Sequence, residues 1–163
     1  MAIFDKALPY ILKNEGGFVL DNGGPTNFGI TLSTAQRYGV GNEEELKNIS
    51  MEKVAEIYRD GYWFCDGINN QRVATKVFDM AVNMGERTAI LLLQSALSPN
   101  VVVRDGVYGP RTEAAVNEQP EDTLLDRLAH ICEDHYQRIV AANPKLQIYL
   151  NGWINRARRL PEA

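Results

Sequence analysis

The chain has 163 residues, 17 basic and 21 acidic side chains for a net charge of −4, and 45% hydrophobic residues. That length and apolar content suit one domain around a buried core, able to divide into two lobes. With no long basic run, the charge balance argues against a nucleic-acid partner.

The first residues lack a basic segment followed by a long apolar core, and no apolar run approaches the ~20 residues that span a membrane. Synthesis in the cytoplasm without membrane insertion is therefore expected. Ile3, Phe4, Ala7, Leu8, Ile11 and Leu12 recur at three- and four-residue steps, which predicts an amphipathic helix with Asp5 as N-cap and a slight kink at Pro9. Gly16 suits the left-handed residue that closes it. Glu15 then sits in the last turn, beside unpaired carbonyls, where an ionised side chain is disfavoured by roughly 0.3–1 kcal/mol. A general acid needs more help than that, and burial against Phe18 or Phe28 would supply it. The same Glu before Gly-Gly is also an ordinary helix ending.

The loop that follows carries Asp21 and Thr26. Gly23-Gly24-Pro25 forces a reversal, so residues 18–20 and 28–30 are expected to pair as a short hairpin folding back beside Glu15. A second carboxyl there, Asp21, could stabilise an oxocarbenium-like transition state or activate water, and the Thr26 hydroxyl could hold that water. Asp21-Asn22-Gly23-Gly24 is equally good turn chemistry.

Further along, Thr31 caps a short helix ended by Gly39, and Asn42–Leu46 forms another turn with acidic residues at its start. Ser50 caps a helix that turns Met51, Val54, Ala55 and Tyr58 inward and stops at Gly61. Tyr62-Trp63-Phe64 follows; adjacent aromatics cannot all face one way, so some pack inside while one could line a cleft. Residues 71–83 form a helix burying Val73, Val77, Phe78 and Ala81, with Arg72, Lys76, Asp79 and Asn83 as a polar stripe. Such a stripe ordinarily marks a solvated face. After Gly85, residues 89–97 are apolar enough to be the central core helix.

Ser98-Pro99-Asn100 breaks the chain before a brief extended segment at 101–104. Asp105-Gly106-Val107-Tyr108-Gly109-Pro110-Arg111-Thr112 is a turn followed by an N-cap. A long helix over 123–142 buries Leu124, Leu125, Leu128, Ile131, Cys132, Ile139 and Val140, and after Pro144 a last helix buries Ile148, Leu150, Trp153, Ile154 and Ala157. Arg156-Ala157-Arg158-Arg159, the basic cluster, suits the end of that helix. Cys65 and Cys132 are too few for a disulfide framework and read as buried thiols. His130 and His135 diverge by about 140° on a helix, so no metal or other cofactor is expected.

Glu15-Gly16-Gly17-Phe18, Asp21, Gly23-Gly24-x-Thr26-Asn27-x-Gly29-Ile30-Thr31, Tyr62-Trp63, Phe78-Asp79-x-Ala81-Val82-Asn83-x-Gly85 and Gly152-Trp153-x-Asn155-Arg156 together resemble glycoside hydrolase family 108, small lysozyme-like N-acetylmuramidases of phages and bacteria. Residues 105–112 resemble the signature of peptidoglycan-binding repeats. Two departures stand out: Phe18 takes the place of the usual Tyr, and the loop from Asp21 to Gly23 is short. The resemblance implies a mainly α, lysozyme-like helical fold with a short β-hairpin after the first helix. It places a catalytic lobe over 1–97 and a peptidoglycan-binding-like lobe over 98–163 of one domain.

It further implies hydrolysis of the β-1,4 bond between N-acetylmuramic acid and N-acetylglucosamine. Glu15 would be the acid, and Asp21 and Thr26 its partners in catalysis. Phe18, Asn27, Phe28, Tyr62, Trp63, Asp79 and Asn83 would meet the sugar or buttress the cleft floor. Inversion needs carboxyls roughly 6.5–9.5 Å apart and retention about 5–5.5 Å; inversion is favoured because no residue is placed as a nucleophile. Peptidoglycan glycan strands are the expected partner of a monomer that would reach the wall after lysis, through a holin or a secretion system. A lytic transglycosylase, or a non-catalytic wall-binding or secretion-helper protein on the same fold, is the alternative. A peptidase is disfavoured for want of a Ser/His/Asp or Cys/His set.

Overall fold

The computed structural model describes residues 1–21, 23–97 and 99–162, and of Asp21 the backbone alone. Among the described residues there are nine α-helices and one small sheet. Helix α1, Phe4–Glu15, buries Phe4, Ala7, Leu8 and Ile11 and keeps Pro9 within it. Its N-cap is Ile3 and not Asp5. A tertiary contact fixes that start: the Gln71 amide accepts from the Ile3 N–H at 2.8 Å and donates to its carbonyl at 3.1 Å. Asp5 instead pairs with Arg59 at 3.0 Å.

Strands β1 (Val19–Asp21), β2 (Gly24–Asn27) and β3 (Ile30–Thr31) form an antiparallel sheet in that order. Val19 lies opposite Thr26, and Thr26 opposite Thr31. The expected pairing of 18–20 with 28–30 is thus replaced by two reversals. The first falls between Asp21 and Gly24, and the second at Phe28 and Gly29, both at positive φ, 50° and 74°.

Local capping sets four of the helix starts. Thr31, Asn42, Ser50 and Asn70 each accept the N–H three residues on, satisfying donors a helix leaves open. They begin α2 (Leu32–Gln36), α3 (Glu43–Lys47), α4 (Met51–Tyr62) and α5 (Gln71–Met84). There follow α6 (Glu86–Ala96), α7 (Pro110–Asn117), α8 (Glu121–Ala142), a 3-10 turn at Pro144–Leu146 and α9 (Gln147–Arg158). Met51 and Ile148, expected inside, face outward.

Residues 101–104 form bends and not a strand. Gln94 clamps the loop after them, accepting from the Asp105 and Gly106 N–H groups and donating to Thr112 Oγ1.

Two apolar clusters make the core. One gathers Phe4, Leu8, Ile11, Ile30, Leu46, Val54, Ile57 and Phe78, the other Ile68, Val77, Leu93, Leu124, Leu128 and Ala157 among others. Helix α5 feeds both and is buried from Val73 to Ala81, packing against α1, α4, α6 and α8. It, and not α6, is the central helix. The second cluster draws on α5 and α6 as well as α7, α8 and α9, so the packing runs across residue 97. No described helix is long and apolar enough to cross a membrane.

Candidate active site

Gly16, at φ 71°, closes α1 and leaves Glu15 as its last residue. The Glu15 side chain is only 17% exposed, and its Oε1 accepts from the Arg156 guanidinium at 2.6 Å. Its other oxygen faces the second turn of the sheet: a Cβ at Gly29 would lie 2.4 Å from Oε2. Glycine is required there twice over, by that approach and by its φ of 74°. Tyr58, from α4, steadies this turn by donating its hydroxyl to the Phe28 carbonyl. Burial, then the charge of Glu15, pushes the Tyr58 hydroxyl well above the ordinary tyrosine range.

Arg156 comes from α9 and also donates to buried Asp79 on α5, by NH2 at 2.8 Å and Nε at 3.1 Å. The same Asp79 oxygen accepts from Asn14 at 3.1 Å. Burial alone works against the Arg156 charge, but Asp79 and then Glu15 outweigh it and hold the guanidinium above its ordinary pKa. One turn before Asp79, Lys76 is buried, with Nζ donating to the carbonyls of Arg156, Ala157 and Arg159 at 3.1, 2.8 and 2.9 Å. A cation at the C-terminal carbonyls of a helix is favourable, and here it fixes the turn that bears Arg156. Burial pushes the Lys76 ammonium below its ordinary pKa, and the nearby Asp79 opposes that shift.

The structure thus joins Glu15 and Asp79 through Arg156, although the sequence pairs Glu15 with Asp21 and Thr26. The Asp21 side chain lies outside the described residues; its backbone pairs with Gly24. Thr26 is half-buried on β2, and among the described residues no hydrogen bond joins it to Glu15. The Lys47 ammonium lies over the Phe18 ring, 5.0 Å from its centre. Phe28 packs on the first apolar cluster.

Asn27 is buried, and its amide donates to the Leu46 and Lys47 carbonyls at 2.9 and 3.2 Å, which ties the sheet to α3. Trp63 is half-buried, edge-on to Phe4 and Phe78 with its N–H on Asp66. Tyr62 lines a separate cavity of about 470 Å³ with Thr34, Arg37, Tyr38 and Asp60. Asn83 donates to the Tyr136 hydroxyl.

Sequence reasoning missed Arg156 and Asn14 as partners and took Lys76 for a surface residue. The signal for Lys76 and Asp79 lies in their neighbours: Val73, Ala74, Val77, Phe78, Met80 and Ala81 surround them on every side of the helix. Among the described residues, no group of three or more His, Cys, Asp or Glu is placed to hold a metal ion. Chemically, one carboxyl is held by one oxygen while the other faces a surface with no side chain. That arrangement suits a proton donor and acceptor. Asp79, engaged by two side chains, orients Arg156.

Residues 8–85 match the family described as glycosyl hydrolase 108, and residues 88–158 match a predicted peptidoglycan domain. The solved structure of Brucella abortus SagA is similar, with a TM-score of 0.74 and 30% identity over 94% of this chain and 88% of that one. No match was found among curated proteins. The Glu15 site at the end of α1, the two family matches in this order and the likeness over the whole length agree: the chain belongs to the glycosyl hydrolase 108 family and is a peptidoglycan hydrolase.

Proposed function

We propose that the protein is an N-acetylmuramidase, cutting the β-1,4 bond from N-acetylmuramic acid to N-acetylglucosamine with Glu15 as general acid. The observation that supports this reading is the Glu15 carboxyl, fixed by Arg156 through one oxygen and turned to the bare Gly29 edge with the other. The proton passes from Glu15 to the glycosidic oxygen as the bond from the anomeric carbon breaks. Arg156 then stabilises the carboxylate left behind, an electrostatic role that costs no reorganisation at the moment of reaction. Water adds to the oxocarbenium-like centre and gives up a proton, with Asp21 as its acceptor and Thr26 positioning it.

Glu15→Gln keeps the shape of the side chain and an oxygen for Arg156 but removes the acid. Digestion of purified peptidoglycan by this variant should release reducing ends about 10²–10⁴-fold more slowly than the native protein does. Equal release by both would remove Glu15 from the mechanism. A lytic transglycosylase is the second reading: of the two carboxyls that Arg156 joins, Asp79 is spent on Arg156 and Asn14 and only Glu15 is turned to the sheet, and such an enzyme needs no second carboxyl. Anhydro-sugar ends in the mass spectra of the fragments would identify it.

A further inference from the structure

Helix α9 carries more than Arg156 toward the site. Tyr149, Trp153 and Arg156 stand at i, i+4 and i+7, so they share one face of the helix. The rings on that face form a row. Tyr149 and Trp153 are 5.7 Å apart with planes 31° from parallel, and Trp153 stacks on Tyr136 of α8 at 5.3 Å and 22°. Tyr136 shares a hydrogen bond with Asn83, one turn beyond Asp79 on α5. The row therefore runs from α5, one turn beyond Asp79, to the surface.

Its inner members are covered, with Tyr136 buried and Trp153 half-buried, while Tyr149 is 52% exposed. Among the described residues the Tyr149 hydroxyl has no hydrogen-bond partner. The Tyr149 ring packs on Trp153 from one side and meets solvent with the rest. Flat aromatic faces suit the apolar face of a pyranose, and the free hydroxyl suits its polar rim. Seven helical residues separate Tyr149 from Arg156, roughly 10 Å along the axis, which is about the length of two sugar rings.

We propose that the Tyr149–Trp153 face is a glycan subsite, binding the β-1,4-linked amino-sugar strand about one disaccharide from the bond cleaved. Tyr149 contacts the sugar, Trp153 backs it, and Tyr136 anchors the row to α5. This rests on the muramidase reading, and the occupant is a further stretch of the same polymer.

The test compares native protein with Tyr149→Ala, a surface change that leaves the core intact, on long glycan strands and on fragments too short to reach the row. On long strands Tyr149→Ala should raise KM about tenfold with kcat unchanged, since one stacked ring is a uniform binding contribution. On short fragments native and variant should agree, and Tyr149→Trp should restore the long-strand KM. An unchanged KM on long strands, or an equal loss on short ones, overturns the subsite. Should the native protein cleave neither substrate, the muramidase reading fails, and tryptophan fluorescence in a Trp63→Phe background, where Trp153 is the one emitter, with N-acetylchito-oligosaccharides still reads the row. Quenching in that background that Tyr149→Ala abolishes supports the subsite, and its absence there overturns it.

Discussion

Gly29 governs how closely the sheet approaches the candidate acid. Gly29→Ala would place a methyl group 2.4 Å from Glu15 Oε2, and would hold an L-residue at a left-handed φ that costs about 1–2 kcal/mol. The expected result is a modest fall in the denaturant midpoint together with a loss of wall-cutting activity far larger than that fall explains. Activity lost only in proportion to stability would show that the approach of Gly29 has no catalytic weight. Glu15 itself was legible from the sequence, because a helix end, two glycines and a polar loop are all local. Its partners were not. Arg156 lies 141 residues away, and Asp79 meets Arg156 across 77. No spacing rule reports a contact of that kind. The partners of Asn27 were hidden for a related reason: only the packing of α3 against β2 brings the Leu46 and Lys47 carbonyls within reach of its amide.

At the level of elements, α5 and α9 form the unit that places the guanidinium. Lys76 joins them by bonding three carbonyls at the end of α9. Lys76→Met fills nearly the same volume but leaves those carbonyls unpaired, and should destabilise the protein by about 2 kcal/mol. Faster amide hydrogen exchange should be confined at first to residues at the end of α9, with activity falling as Arg156 loses its fixed origin. Uniform exchange throughout the chain would contradict that assignment. Some helix starts were readable because their caps are local: Thr31 and Ser50 cap α2 and α4 as expected, while Asn42, read only as the start of a turn, also caps a helix. Hairpin register was not, since it depends on where two turns fall, and Phe28 takes up a positive φ that its side chain does not advertise. The apolar run Ile90–Leu93 outweighed α5 in the sequence, yet α5 has neighbours on all sides and so buries even its lysine.

Across the whole molecule, buried tyrosines couple the fold to alkaline pH. Burial is the largest cause of the raised values of Tyr10, Tyr58, Tyr108 and Tyr136, with Tyr10 pushed up to about 12 and the others further. Unfolded tyrosines ionise near pH 10. Above that pH the unfolded chain has released protons that the native state still binds, so stability is intact below about pH 10 and is lost as pH rises through the folded values. Phenolate absorbance should thus show part of the seven tyrosines ionising only as helical circular dichroism disappears. Ionisation of all seven with the helices intact would refute the burial assigned to these four. The helical class follows from periodicity. The sharing of α5 between two apolar clusters does not, because it depends on which faces meet after every helix has formed.

The 141-residue interval between Glu15 and Arg156 also sets an order in time. A ribosome makes the carboxylate well before the guanidinium, so a nascent chain carries Glu15 with nothing to orient it. Only once α9 has been made can Arg156 reach that carboxyl, and a chain cut short before that point holds Glu15 without its partner.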